Sequence, residues 1–151
     1  MKQIKIISLV LFLLLLTACS SSVSPNSTLD QGSKITVTGA DSSKSYTRDD
    51  LEALPVSQST FKDVTYIGVS LSTLLQNAGF DVNEVKAVKA TAVDGYNVNY
   101  DTSQVFASDV IVAYAQIDGE MTADDGSFRM VLPNAEGKLN VRMLTELQVI
   151  K

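Results

Sequence analysis

Residues 68–79 read Gly68-Val69-Ser70-Leu71-Ser72-Thr73-Leu74-Leu75-Gln76-Asn77-Ala78-Gly79. Leu71, Leu74, Leu75 and Ala78 recur at the i, i+3, i+4, i+7 spacing that lines one face of a helix. Ser70 precedes the run, where its hydroxyl can accept an amide N–H of the first turn. Gly79 follows it, where a helix end calls for a left-handed residue. The apolar face of this short helix belongs to a core.

Toward the N-terminus the pattern changes period. Residues 34–38 alternate with β-branched side chains, 39–43 supply a turn, and 44–46 can return as a second strand. A short helix follows, with Thr47 as N-cap, Asp50 three residues on, and Tyr46 and Leu51 at the two positions of a hydrophobic staple. Asp49 and Asp50 in its first turn suit the helix dipole, and Pro55 closes it. Residues 56–66 read as irregular or strand-like.

Toward the C-terminus, 85–92 reads as a strand, Asp94-Gly95 as a turn and 96–100 as the continuation. Asp101 or Thr102 opens a short helical turn to Phe106. Residues 110–115 are apolar without alternation, as in a strand covered on both faces, and Asp118-Gly119 is a two-residue hairpin signal. Residues 128–132 and 144–150 supply the closing strands. Strands dominate, two short helices interrupt them, and the spacing is too tight for regular βαβ crossovers. The expected fold class is α+β with a mixed or antiparallel sheet.

The first residues belong to none of this. Lys2 and Lys5 precede an apolar run over 6–16, broken only by Ser8, and then come Thr17, Ala18 and Cys19. Such a run is too short to span ~30 Å of hydrocarbon and reads as a secretion signal over 1–18. Leu16-Thr17-Ala18-Cys19 resembles the lipobox of bacterial lipoproteins. The resemblance implies a diacylglyceryl group on the Cys19 sulfur, cleavage just ahead of it, and an extracytoplasmic protein anchored to the bacterial cell membrane or outer membrane. Residues 20–33 are Ser-rich, with Pro25, Asn26, Gly32 and only Val23 and Leu29 as aliphatics. Together with the lipid-bearing cysteine they form a tether over 19–33, holding the domain of residues 34–151 roughly 20 Å from the membrane on average.

Composition narrows the function classes. Cys19 is the only cysteine, so no intramolecular disulfide can form, and a domain of this size must rely on packing. The net charge of −5 becomes more negative by two once Lys2 and Lys5 leave with the leader. Without clustered Lys and Arg, nucleic acid is an unsuitable partner. Attachment to the membrane then rests on the lipid, at about 0.8 kcal/mol per buried methylene. Histidine is absent altogether, which removes the commonest general base, the Ser-His and Cys-His pairs and the commonest transition-metal ligand. The Asp-rich stretches at 49–50 and 118–125 lack the spacing of a calcium loop and read as surface turns. No serine has a base at recognisable spacing. The residues therefore offer neither a catalytic set nor a metal site.

Three stretches, taken in order, resemble the molybdopterin-binding domain of the sulfite oxidase family. They are the Gly68-Val69-Ser70-Leu71 helix with Leu74-Leu75 and Ala78-Gly79, then Asp94-Gly95-Tyr96 followed by 110–114 and Asp118-Gly119. The third is Gly126-Ser127-Phe128-Arg129-Met130-Val131-Leu132-Pro133 with 137–144. Together they cover about residues 34–151 and imply that family's fold, with molybdopterin as cofactor and oxidoreductase activity. In complete members a cysteine thiolate upstream of the G-V-x-L helix binds molybdenum. The corresponding residues here, 56–65, contain no cysteine, and the hydroxyls of Ser57, Ser59 and Thr60 bind a soft metal poorly. The family's cofactor-contacting histidine aligns with Asp125, and a basic position of the last motif with Leu139. Asp94 and Arg129 do match in type. Arg129 could offer a fork of donors to an anion, and Asp94 could accept hydrogen bonds from a pterin-like or amide-bearing ligand. Each also has a reading without a ligand, with Asp94 placed by its turn and Arg129 paired with a carboxylate.

The expectation is a lipid-anchored, extracytoplasmic protein whose truncated molybdopterin-binding-like domain is a non-catalytic binding or interaction module without cofactor. Its partner would be a protein or a small anionic or polar ligand. The alternative is a molybdopterin-dependent oxidoreductase, or a subunit of one, that holds its cofactor through Asp94 and Arg129. A third reading lines a ligand cleft with Tyr66, Tyr96, Tyr100 and Tyr114, against which stands a core role with hydroxyls at its edge.

Overall fold

A computed structural model of the chain describes residues 33–151; the leader, Cys19 and the tether as far as residue 32 lie outside the described residues. Strands β1 (Ile35–Thr38) and β2 (Ser43–Tyr46) pair antiparallel. Helix α1 (Arg48–Glu52) then starts from a reciprocal cap. The Thr47 amide donates to Asp50 Oδ2 at 2.8 Å, and the Asp50 amide donates to Thr47 Oγ1 at 3.3 Å. Tyr46 and Leu51, the expected staple pair, are both buried.

Residues 56–66 are better ordered than their sequence suggests. Strands β3 (Ser57–Phe61) and β4 (Val64–Ser70) form an antiparallel hairpin whose turn residues, Lys62 and Asp63, both have positive φ. A two-residue turn of that hand matches the natural twist of paired strands. Helix α2 (Leu71–Asn77) follows at once, capped by the Ser70 hydroxyl, and Gly79 is left-handed at φ 91°. Strands β5 (Ala87–Ala92) and β6 (Asn97–Asp101) make the next hairpin, and α3 (Thr102–Phe106) is a third short helix with its own capping box from Asp101. Strands β7 (Ile111–Gln116), β8 (Arg129–Val131) and β9 (Leu144–Ile150) complete the domain.

The strands form two sheets rather than one. The first has the order β2-β1-β9-β5-β6, with β9 parallel to β1 and antiparallel to β5. The second, β3-β4-β7-β8, is antiparallel throughout. This is a mixed α+β fold with short helices. In the first sheet β5 and β6 bury alternate residues, so one face meets the core. In the second, β7 is covered on both sides as its unbroken apolar run requires. Val112 and Tyr114 join the main core, while Ile111 and Ala113 meet Tyr66 and Val131 on the other face.

Two details shape that second face. Gly68 lies at a register shift between β4 and β7, where an added Cβ would stand 2.1 Å from the Val112 carbonyl oxygen. Only glycine lets the strands approach so closely. Edge strands β3 and β8 also come into contact, which gives the sheet a concave side. The tight turn after β7 is centred on Ile117-Asp118, one residue earlier than the Asp-Gly signal places it. The chain does not return as a strand there. Residues 120–128 cross the concave side first, packing Met121 against it and burying Asp125.

Candidate functional site

Arg129 opens β8 and alternation settles its direction. Phe128, Met130 and Leu132 face the main core, which leaves Arg129 and Val131 on the concave side of the second sheet. Arg129 as a whole is 4 % exposed there. Its Nη1 donates to Asp125 Oδ1 at 2.5 Å and to the Tyr66 hydroxyl at 2.8 Å, and its Nε donates to the Met130 carbonyl at 3.3 Å. The cation also lies 4.6 Å from the centroid of the Tyr66 ring and 5.8 Å from that of Phe61 at the end of β3. Gln116 donates to the second oxygen of Asp125 at 3.4 Å. Burial raises the Tyr66 phenol above its ordinary pKa, with Arg129 opposing and Asp125 reinforcing the rise.

This chamber is closed by the chain itself. Ser59, paired with Tyr66 across the β3–β4 hairpin, is buried with its hydroxyl unpartnered among the described residues. At the hairpin tip, Phe61 and Lys62 reach the backbone at Gly137, where a Cβ would find their atoms at 3.9 and 3.8 Å.

Asp94 lies elsewhere. It is exposed in the turn between β5 and β6, and its Oδ1 accepts the Tyr96 amide at 2.9 Å while Gly95 takes φ 86°. It overlooks an open cleft of about 560 Å³ whose walls include Tyr96, Asp124, Lys138, Arg142 and Met143. Arg129 is not part of that lining, so the two residues singled out from the sequence are not brought to one site. The tyrosines disperse as well. Tyr66, Tyr100 and Tyr114 are buried, and only Tyr96 faces the cleft. Tyr100 donates to the Leu139 carbonyl at 2.6 Å and Tyr96 to that of Lys138 at 2.7 Å, so both phenols fasten the 3-10 turn Gly137–Leu139.

The acid that satisfies Arg129, Asp125, stands four residues before it in an aspartate-rich stretch that reads as a surface turn. Met121 of the same stretch packs against the second core cluster, so the stretch covers the concave side rather than standing free as a surface turn. Lys138, Arg142 and Met143 belong to the 137–144 stretch of the third motif, but the cleft they wall could not be read from that stretch alone, because three separated stretches of chain form it. Among the described residues, no three acidic, cysteine or histidine side chains converge as a metal site.

No curated protein matches the sequence. Among solved structures, the sulfane dehydrogenase SoxCD of Paracoccus pantotrophus is similar with a TM-score of 0.68 at 20 % identity, over 79 % of this chain and 38 % of that one. The likeness is one of fold, and this chain spans well under half of the larger protein's length. The family model described as the oxidoreductase molybdopterin binding domain matches residues 27–151, and the chain belongs to that family.

Proposed function

We propose that the protein is an extracytoplasmic lipoprotein, anchored through a lipid on Cys19, whose molybdopterin-type domain acts as a non-catalytic binding or interaction module. The observation that carries this reading is the enclosure of Arg129. This cation of the family motif donates through Nη1 to Asp125 and Tyr66 and through Nε to the Met130 carbonyl, and Phe61 covers it, so the Nε–Nη1 edge of its donor fork is already taken and not available to a phosphorylated pterin.

The residues present do not fit a molybdenum–pterin group. The hairpin β3–β4 occupies the stretch in which complete members carry the metal-binding cysteine, and its hydroxyls, the Gln58 amide, Phe61 and the Lys62-Asp63 turn include no thiolate for a soft metal. Asp125, where the family has histidine, would repel a phosphate. A lipid on Cys19, the single cysteine, would remove the remaining thiol. Retention of a fold without its chemistry is common among widely used folds.

Membership of the family favours a second reading, in which the domain is a molybdopterin-dependent oxidoreductase or its subunit and a partner protein supplies the missing ligand. Metal and pterin analysis of protein purified from its native host separates the two. The non-catalytic reading expects neither molybdenum nor pterin fluorescence on denaturation; stoichiometric amounts of either would refute it.

A further inference from the structure

The cleft below the β5–β6 turn lies within the size range of small-molecule sites, about 300–1,000 Å³. Charges of both signs line it. Lys138 is paired with Glu136 at 2.7 Å, whereas Arg142 makes no hydrogen bond or ion pair among the described residues. On the other side of the balance stand Asp94, whose carboxylate among the described residues accepts only its own turn amide, and Asp124. No ion pair joins either acid to Arg142, so the framework holds opposite charges around one space without letting them neutralise each other. A simple anion entering the cleft would meet two carboxylates, and a simple cation would meet Arg142 and Lys138. A ligand carrying both charges, separated, would satisfy both sets.

The apolar part of the cleft is held rigidly. The Tyr96 ring, 45 % exposed, is fixed by its hydroxyl on the Lys138 carbonyl. Met143, 40 % exposed, has a left-handed backbone at φ 48°, rare for a residue with a long side chain. Its amide donates to the Asp125 carbonyl at 2.8 Å and its carbonyl accepts the Val93 amide at 2.9 Å. Its Cα also packs where a Cβ on Gly126 would come within 2.9 Å, so glycine there makes room for it. Two turns, one at Val93 and one at Asp125-Gly126, thus hold a strained residue that lines the cleft, a pattern that recurs where a framework serves a ligand.

We propose that this cleft binds a small zwitterion of amino-acid or dipeptide size. Its carboxylate lies on the Arg142 guanidinium, its ammonium faces Asp94 and Asp124, and an apolar side chain rests on Tyr96 and Met143. The proposal deepens the binding-module reading and rests on it, since it takes the cleft to be free of pterin.

Calorimetric titration of the full-length lipoprotein in detergent micelles tests it, with Leu-Gly as probe beside its N-acetylated and C-amidated forms. Saturable binding of the free dipeptide is expected, with each cap weakening it tenfold or more. Arg142→Gln should lower affinity for the free dipeptide at least tenfold and abolish its preference over the amide. Asp94→Asn combined with Asp124→Asn should abolish the preference over the acetylated form. The side-chain carbonyl introduced by Asp94→Asn can still accept the turn amide, so circular dichroism should report an intact fold. Absence of saturable heat up to about 10 mM, far above useful affinity, would overturn the proposal. So would equal binding of the capped forms, or an unchanged affinity in Arg142→Gln. Molybdenum in the native protein would overturn the non-catalytic reading and leave titrations on metal-free protein unaffected, so the two failures are distinguishable.

Discussion

Arg129 and Asp125 form an ion pair in which both side chains are more than nine-tenths buried, joined at 2.5 Å with the Tyr66 hydroxyl shared between them. Removing one member strands the other charge inside the concave sheet, a loss of about 3–5 kcal/mol. Arg129→Met and Asp125→Leu should each lower the free energy of unfolding in urea by about that amount. The double variant should lose much less than the sum, because no uncompensated charge remains. Additive losses would show that the pair does not act as a unit.

Gly68→Ala places a methyl group 2.1 Å from the Val112 oxygen and 2.7 Å from the Ala113 Cα, both backbone atoms that cannot swing aside. A loss of about 3 kcal/mol or more is expected in denaturant unfolding. Gly137→Ala serves as the comparison, since its nearest neighbours would be at 3.8 and 3.9 Å, and its effect should stay within about 0.5 kcal/mol.

Alkali should destabilise the domain through its phenols. Burial, reinforced by Asp50, pushes Tyr46 up to about 12, and burial drives Tyr100 well above the ordinary tyrosine value of 10.0. Both are raised in the folded state, so their contribution is full below pH 10 and is lost as pH rises through the folded values. The urea midpoint should therefore fall between about pH 10 and pH 12. Tyr100→Phe should make that fall shallower. At pH 7 it should cost about 1 kcal/mol, because the Leu139 carbonyl loses its donor.

Cys19→Ser tests the anchor. The wild-type protein should fractionate with membranes and resist release by salt, since hydrocarbon burial rather than charge would hold it. The variant should lack the lipid mass and leave the membrane fraction. A variant that stays membrane-bound and lipidated would refute attachment at this residue.

Local chemistry was legible in the sequence wherever neighbouring residues decide the structure. The Thr47–Asp50 box, the Ser70 cap, left-handed Gly79 and the doubly covered β7 all follow from spacing over a few positions. Pairing between distant strands was not, because nothing local tells β9 to lie between β1 and β5. The turn at Lys62-Asp63 escaped for a different reason: it takes the left-handed geometry usually signalled by Asn-Gly with a lysine, which does not favour it, at the first position and no glycine at the second. Of the candidate site, the pairing of Arg129 with a carboxylate and the turn role of Asp94 could be read in advance. Their separation could not, since it depends on which side of each sheet faces which loop.

The position of β9 bears on how such a chain would travel. Its residues, 144–150, lie between strands built from residues 35–38 and 87–92. The first sheet therefore cannot close until the last of its strands is available. In a polypeptide threaded across a membrane from its N-terminus, as proposed here, the early strands would emerge lacking their central neighbour. Such a chain would complete the first sheet only once residues 144–150 had crossed.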